Sequence, residues 1–269
     1  MRLQPHLWGA AVASLLLFLA PGQGWAEERE HFQLKVGATY DQGDFGTPNT
    51  TRTLFVPVTL KYLGERFDLG VTPSFVVVDT VGGVTLIEGE PTRTKGAQQR
   101  RVTNAGPGDT LIKGRYYLLD DPGLPSPWPS LTPFFKVKIP TADEDRNLGT
   151  GKTDYGFGAE FDKQLGRFLL FGDASYTVIG SPAGQDLRNR PAASGGVGLM
   201  VTNALTVGAF IEWRRALVSG RDDPTELVGF LTYKVTRTLS FSPNVLVGLT
   251  NGSPDFGVGF ELAYKFGRY

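Results

Sequence analysis

Residues 256–266 read FGVGFELAYKF, and every second residue of this stretch is apolar or aromatic. The residues between them are Gly, Ala, Glu or Lys. Because successive side chains of a strand point to opposite faces, such a strand has one apolar face and one face that is small or charged. The apolar face would contact the core in a soluble sandwich, and lipid in a transmembrane barrel.

The same period of two recurs along almost the whole chain and predicts twelve strands. Most of them have close to the ~9–11 residues that a tilted strand needs to cross a bilayer. The predicted strands are His31–Tyr40, Thr51–Tyr62, Phe67–Val77, Asp109–Leu118, Ser130–Ile139, Thr153–Phe161, Phe168–Val178, Ser194–Val201, Leu205–Trp213, Glu226–Val235, Leu239–Leu249 and Phe256–Phe266. The 35 glycines also favour strands and turns, since Gly is unfavourable in helix interiors. We therefore predict an all-β fold, an antiparallel transmembrane β-barrel of about 12 strands, with a soluble β-sandwich or jelly roll as the alternative.

The connections between the predicted strands alternate in length. The short ones are Gly64–Arg66, Asp162–Arg167, Thr202–Ala204 and Thr236–Thr238, and Leu119–Pro129 is the one long connection on their side. Outer-membrane barrels have short periplasmic turns and longer external loops, so this alternation favours a barrel over a sandwich. The longest loop, Asp79–Gly108, is expected either to fold into the pore mouth as a constriction or to remain a solvated surface loop.

The first 26 residues have the pattern of a secretory signal peptide. Arg2 is followed by an apolar stretch, Leu7–Ala20, and by the small residues of Gly24–Trp25–Ala26. The apolar stretch is short for the ~20 residues of a membrane-spanning helix, which leaves an uncleaved anchor as the weaker alternative. We expect a signal peptide at residues 1–26, cleavage near Ala26, and a barrel at residues 27–269 in the outer membrane of a Gram-negative bacterium.

Composition and motifs indicate no catalytic or cofactor chemistry. The chain has no cysteine, which excludes disulfides and a lipoprotein anchor, and its 27 basic and 27 acidic residues form no basic stripe for a nucleic acid. After the signal peptide the only histidine is His31, at the start of the first predicted strand, where an acid–base pair is not expected. We therefore predict a protein that is not an enzyme, with no catalytic residues, no cofactor, no metal and no nucleic-acid partner.

The polar faces of the predicted strands carry the candidate functional residues. In a barrel these faces line the lumen, where they either set charge selectivity or form a ladder of ion pairs that fills a narrow interior. From the hairpin register we expect Lys113 near Lys136, and Asp173 opposite Gly156. The candidates are Lys113, Arg115, Lys136, Lys138, Asp154, Glu160, Asp162, Asp173, Glu212, Arg214, Glu226 and Lys234.

Two stretches carry a resemblance to a known family. Lys136–Thr141 followed by Asn147–Gly156, together with the entry Gly106–Asp109, is similar to the outer-membrane transporters grouped as "MetA-pathway of phenol degradation" proteins. The resemblance implies an outer-membrane barrel of a kind often proposed to pass small organic or aromatic compounds, and it carries over no binding residues. Barrel-assembly signals usually end in an aromatic residue that is in phase with the alternation of the last strand. Tyr269 is out of phase with Phe266, so we take Phe266 as the end of that signal.

Two functions remain open from the sequence. The first is an outer-membrane channel or transporter that passes small organic solutes, aromatic ones included, through a narrow charged lumen. The alternative is a non-conducting surface or structural barrel whose external loops bind a partner or lipopolysaccharide. Either protein would have outer-membrane lipid and lipopolysaccharide as partners, as well as the barrel-assembly machinery, which would act on the C-terminal strand ending at Phe266.

Overall fold

A computed structural model describes residues 31–45, 49–81, 84–87, 90–93, 100–121 and 127–267. The predicted signal peptide, the cleavage site near Ala26 and the final residue Tyr269 lie outside the described residues. Within the described ranges, no helix is long and apolar enough to span a membrane.

The described residues form sixteen strands, all paired antiparallel. They are β1 (Phe32–Gly43), β2 (Thr51–Leu63), β3 (Phe67–Thr72), β4 (Ser74–Val81), β5 (Val84–Ile87), β6 (Glu90–Arg93), β7 (Arg101–Pro107), β8 (Thr110–Tyr116), β9 (Ser130–Ile139), β10 (Asp154–Leu165), β11 (Phe168–Val178), β12 (Arg190–Met200), β13 (Leu205–Arg214), β14 (Thr225–Lys234), β15 (Leu239–Gly248) and β16 (Phe256–Phe266). All but β5 and β6 belong to one sheet, and those two form a separate hairpin.

The sheet closes on itself, because β1 pairs with both β2 and β16. Phe32 lies opposite Tyr62 on one side and opposite Phe266 on the other. From β8 to β16 each strand pairs with its sequence neighbour. The result is a closed antiparallel barrel, which removes the free edges of an open sheet.

Two of the barrel strands are interrupted, and this reconciles fourteen sheet strands with a barrel of twelve. β3 and β4 both pair with β2 in one continuous register and are halves of one strand, separated by Pro73. β7 and β8 are likewise halves of one strand, separated at Gly108 and Asp109. Proline has no N–H to donate to a ladder, but the Pro73 carbonyl still accepts a bond from the Val58 N–H at 3.0 Å. The predicted twelve-stranded transmembrane barrel is therefore confirmed.

Several strand boundaries differ from the prediction, and three of these differences bear on the site. The fourth barrel strand begins at Arg101 instead of Asp109, so the segment Asp79–Gly108 is not one long loop. Gly106–Gly108 has the composition of a turn, yet it lies where β7 leads into β8, and a Cβ on Gly108 would come 2.4 Å from Ser74 Oγ. The eighth strand begins at Arg190 instead of Ser194, because Pro191 is tolerated near the start of a strand.

The third difference changes a register. The sixth strand continues to Leu165 instead of ending at Phe161, so only Gly166 and Arg167 separate β10 from β11. Gly166 has a φ of 63°, which suits a two-residue hairpin turn. Asp173 therefore lies opposite Glu160, and the expectation that it would face Gly156 is wrong.

The two faces of the barrel wall differ in the way the alternation predicts. On β15, Val245 is 56% exposed, whereas its neighbours Asn244 and Leu246 are 8% and 1% exposed. Apolar side chains form the exterior, and polar side chains dominate the interior. At one end of the barrel the turns are short apart from the connection between β8 and β9, and this is termed the short-turn end; the opposite end has longer connections and is termed the long-loop end. At the short-turn end, Phe32 contacts Tyr62 and Phe266, each with ring centroids 5.7 Å apart, as expected for aromatic rings at a membrane boundary.

Candidate functional site: the barrel interior and its mouth

All twelve predicted site residues lie on the inward faces of their strands. Ten of them are buried and two, Lys136 and Lys234, are half-buried. Lys113 lies opposite Lys136, as expected. The buried candidates are Lys113, Arg115, Lys138, Asp154, Glu160, Asp162, Asp173, Glu212, Arg214 and Glu226.

A first ion-pair network occupies the short-turn half and is centred on Arg115. Its Nε donates to Asp68 Oδ1 at 2.9 Å, and its Nη1 donates to Glu160 Oε2 at 3.1 Å. Lys113 Nζ donates to the other oxygen, Glu160 Oε1, at 2.7 Å. Lys61 Nζ lies 3.9 Å from Asp68 Oδ2. Two buried carboxylates are thus shared among three cations, which is the arrangement that makes buried charges tolerable.

Tyr117 completes this network one residue beyond β8. Its hydroxyl donates to Asp68 Oδ2 at 2.5 Å. Burial raises the pKa of the Tyr117 phenol above its ordinary value, so the phenol stays protonated and continues to donate. Tyr117 thereby ties the connection after β8 to the interior network.

A second network lies in the long-loop half and is centred on Lys138. Its Nζ lies 2.7 Å from Asp154 Oδ2 and 3.1 Å from Asp109 Oδ2. Both carboxylates also accept backbone N–H groups of loops: Asp154 accepts that of Gly180 at 2.7 Å, and Asp109 that of Ala142 at 3.1 Å. Lys138 therefore helps to hold two connections of the long-loop end onto the barrel wall.

A third network joins β13 to β14. Glu212 and Glu226 lie directly opposite each other, a placement of like charges that is unfavourable by itself. Arg214 compensates, since its Nη1 lies 3.0 Å from Glu212 Oε1 and its Nη2 donates to Glu226 Oε1 at 2.6 Å. The alternation places these three residues on the polar faces but does not predict their pairing.

The other four predicted residues have different surroundings. Asp162 accepts a hydrogen bond from Ser130 Oγ, and Asp173 accepts one from Ser194 Oγ. Lys234 lies at the short-turn end of β14. Lys136 faces a cavity in the barrel interior.

An apolar cluster fills the interior beside the charged networks. Phe171, Phe210 and Phe230 are buried and belong to three different strands. Their ring centroids are 6.2 Å apart for Phe171–Phe210, 6.0 Å for Phe171–Phe230 and 6.3 Å for Phe210–Phe230. The alternation places Phe210 among the inward residues but assigns it no role.

Two cavities lie along the interior. The mouth cavity is at the long-loop end, with an empty volume of ≈ 580 Å³, and Phe45, Val84, Leu217 and Arg221 are part of its wall. The interior cavity has an empty volume of ≈ 450 Å³ and is lined by polar and apolar side chains: Phe134, Lys136, Asp173, Ser175, Thr177, Arg190, Ala192, Ala193, Glu212 and Arg214. Arg190 lines both cavities.

The β5–β6 hairpin reaches across the barrel mouth. Leu86 packs with Val76, Val78 and Leu148 on the side where β4 lies, and its N–H donates to Asn147 O at 3.0 Å. The adjacent Ile87 is fully buried in a cluster from connections elsewhere around the mouth, formed by Ile179, Leu187 and Leu217. Of the two expectations for the segment Asp79–Gly108, this hairpin fits a constriction at the mouth.

Several interior residues were missed from the sequence for identifiable reasons. Lys35 and Asp68 lie on predicted strands, so the alternation alone could have found them. Lys35 pairs with Glu261 at 3.1 Å. Arg190 was placed in a loop because the predicted eighth strand began too late, and Asp109 was taken as the start of a strand.

Among the described residues, no group of three or more His, Cys, Asp or Glu side chains is arranged to hold a metal ion.

A closed barrel of twelve antiparallel strands with an apolar exterior defines a transmembrane β-barrel of the outer-membrane type. A family model described as "Putative MetA-pathway of phenol degradation" matches residues 31–266. The chain belongs to this family, as the motifs of Lys136–Thr141 and Asn147–Gly156 indicated. A comparison with curated protein sequences gave no match.

Solved structures share the fold at low sequence identity. The COG4313 outer membrane channel from Pseudomonas putida F1 superposes with a TM-score of 0.66 at 14% identity, covering 93% of this chain and 100% of that one. The translocator domain of the autotransporter NalP from Neisseria meningitidis has a TM-score of 0.53 at 11% identity, covering 90% of each chain. The NanC porin has a TM-score of 0.50 at 11% identity, covering 87% of this chain and 99% of that one. At such identities the similarity establishes the fold alone, and proteins of differing function share it.

Proposed function

We propose that the protein is an outer-membrane channel that passes small organic solutes, aromatic ones among them, through a narrow charged lumen. The observation that carries the proposal is the pair of cavities inside a closed barrel, one at the mouth and one in the interior, with Arg190 in both walls. We take these two cavities, which share the wall residue Arg190, as parts of a route from the long-loop end into the barrel. The interior polar face is where the selectivity of such barrels resides.

The lining of the interior cavity suits an organic solute that bears a polar group. Lys136, Arg190 and Arg214 contribute positive charge, while Asp173 and Glu212 contribute negative charge. A polar substituent of the solute would exchange hydrogen bonds with these side chains, and a ring would contact Phe134, which lines the same cavity. The predicted site residues are then the lumen residues of the channel, and those around this cavity contact the solute.

Family membership and cellular location agree with this role. The family description refers to phenol degradation, and the COG4313 structure is named an outer membrane channel. We place the protein in the outer membrane of a Gram-negative bacterium, with the signal peptide at residues 1–26 removed and the barrel-assembly machinery acting on the strand that ends at Phe266. Its exposed apolar wall would contact lipid, and lipopolysaccharide in the outer leaflet.

One observation favours the alternative, a non-conducting surface barrel. Leu169 and Val228 are fully buried although they point into the barrel, so side chains fill part of the interior. Liposome swelling with the refolded barrel separates the two functions. The channel requires entry of small organic solutes, compared with liposomes that contain the same protein after heat unfolding. Equal swelling with folded and unfolded protein would support the non-conducting barrel.

A further inference from the structure

We propose that Phe171, Phe210 and Phe230 form an inner constriction of the channel, distinct from the hairpin at the mouth, which excludes hydrated ions and selects solutes that carry an apolar ring. The inference rests on the proposed function, because it names the residues that decide which solutes pass. It concerns a part of the interior to which the sequence pattern assigns no role.

The constriction is a continuous apolar row on five adjacent strands. Following the register from β11 to β15, the directly opposed residues are Phe171, Gly196, Phe210, Val228 and Leu246. The neighbouring inward row is Leu169, Gly198, Gly208, Phe230 and Asn244. Interiors of channel-forming barrels are normally polar, so an apolar band that covers five of twelve strands is a distinct feature.

Two interior glycines leave the space that the rings occupy. A Cβ on Gly196 would lie 2.7 Å from Phe171 Cζ and 2.4 Å from Phe210 Cβ. A Cβ on Gly208 would lie 2.5 Å from Phe230 Cζ. Each row combines large residues with glycine, and combining large and small residues is how small barrels fit side chains into their interior. The three rings therefore occupy fitted positions.

Away from the band, on β8 to β10, the interior carries charged side chains. Lys113 Nζ lies 4.1 Å from the centroid of the Phe134 ring, and the same lysine pairs with Glu160. The interior thus carries paired charges on β8 to β10, and the band of phenylalanine, leucine and valine on β11 to β15. A solute that crosses the interior would therefore meet both an aromatic surface and an ionic surface.

This arrangement discriminates by solvation. A hydrated ion would have to lose its hydration water beside a surface that offers no hydrogen bonds, which is unfavourable. Apolar constrictions of this kind block ions by dewetting. The aromatic ring of a solute passes at a small cost in free energy, because its own contacts with the three phenylalanines replace the ring–ring contacts among them. Movement of the rings would therefore admit an aromatic solute while the ion barrier persists.

The test compares Phe210→Ala with the lipid-facing control Phe241→Ala. Both variants and the wild type are refolded, and folding is verified by heat-modifiable migration. Single-channel ion conductance is measured in planar bilayers, and entry of phenol and of a neutral sugar is measured in liposomes. We expect low ion conductance and a preference for phenol in the wild type and in Phe241→Ala. Phe210→Ala is expected to raise ion conductance several-fold and to reduce the preference for phenol over the sugar.

The outcomes separate this inference from the proposed function. If the wild type admits phenol but Phe210→Ala changes neither conductance nor preference, the constriction is overturned and the channel stands. If the wild type admits no solute while Phe210→Ala conducts ions, the rings seal the barrel against ions but the solute selection and the channel fail. If neither protein passes anything, both are overturned. If Phe210→Ala does not fold, Phe210→Leu, which keeps an apolar side chain, replaces it. Phe210→Leu is expected to retain part of the ion barrier. If Phe210→Leu has the conductance and the solute preference of the wild type, the constriction is again overturned.

Discussion

Ile87 and Leu217 belong to one buried apolar cluster at the mouth of the barrel, although Ile87 comes from the hairpin after β4 and Leu217 from the connection after β13. In the closed order of twelve strands these two connections lie on opposite sides. The hairpin is therefore attached across the opening, and its near side is held by Leu86.

We predict that Ile87→Asp detaches the hairpin from the far side of the mouth. A carboxylate at this fully buried position lacks a suitable partner in the apolar cluster and should cost at least ~2 kcal/mol locally. Because the chain has no native cysteine, a single Ser175→Cys substitution in the interior cavity can report access from outside. The rate of its labelling by a water-soluble thiol reagent should rise in Ile87→Asp.

The matched control for the hairpin is Thr92→Asp on β6, at a half-buried position. It should leave the labelling rate near that of the Ser175→Cys protein. Equal labelling in the two aspartate variants would show that contact with the far side does not close the mouth.

We predict that the two faces of the wall respond differently to an added charge. Val245→Arg places a cation on the exposed apolar exterior and should cost about 2–4 kcal/mol near the bilayer midplane. Ser175→Arg places the same cation in the polar interior cavity and should cost much less. Reversible unfolding in lipid vesicles measures both free energies, and equal losses would mean that the faces are assigned incorrectly.

We predict that Arg115→Met is strongly destabilising because it leaves Asp68 and Glu160 buried with fewer cations. Breaking a buried ion pair by removing one partner costs about 3–5 kcal/mol. The exposed pair Arg146–Asp143 provides the control, since Arg146→Met should change the free energy of unfolding by ~1 kcal/mol or less. Adding Asp68→Asn to Arg115→Met should recover part of the loss, and no recovery would argue against the network.

We predict that Lys136→Glu and Lys138→Glu differ in their effects. Lys136 lines the interior cavity, so its reversal should shift permeation toward cations, as read from the reversal potential in a salt gradient. Lys138 lies between Asp109 and Asp154, so its reversal gathers three carboxylates and should lower stability first. A selectivity shift for Lys138→Glu alone would contradict this division between solute-facing and structural lysines.

The fold could be predicted from sequence because one periodicity dominates it. A one-residue slip of a strand would turn its apolar side chains inward, so the alternation determines which face meets lipid. Residues 256–266 follow it without exception, and the exterior and interior separate accordingly. The prediction failed where a strand contains Gly or Pro, as at Gly106–Gly108 and Pro191, because local turn signals there are overridden by pairing with neighbouring strands.

The site was only partly accessible from sequence. The inward position of residues such as Glu212 and Arg214 follows from alternation, but their pairing depends on cross-strand register, which the length of each turn sets. One misjudged turn moved Asp173 from Glu160 to Gly156. The aromatic constriction depends on three strands at once, and the crossing of the mouth by the β5–β6 hairpin depends on loop packing that no local period encodes.

The most direct measurement is the entry of labelled phenol into outer-membrane vesicles that contain the protein, compared with vesicles that lack it. The account predicts faster, saturable entry with the protein present, while leakage of a small inorganic ion stays the same in both preparations. Equal rates of phenol entry in the two preparations would contradict the claim that this barrel is a channel for small organic solutes.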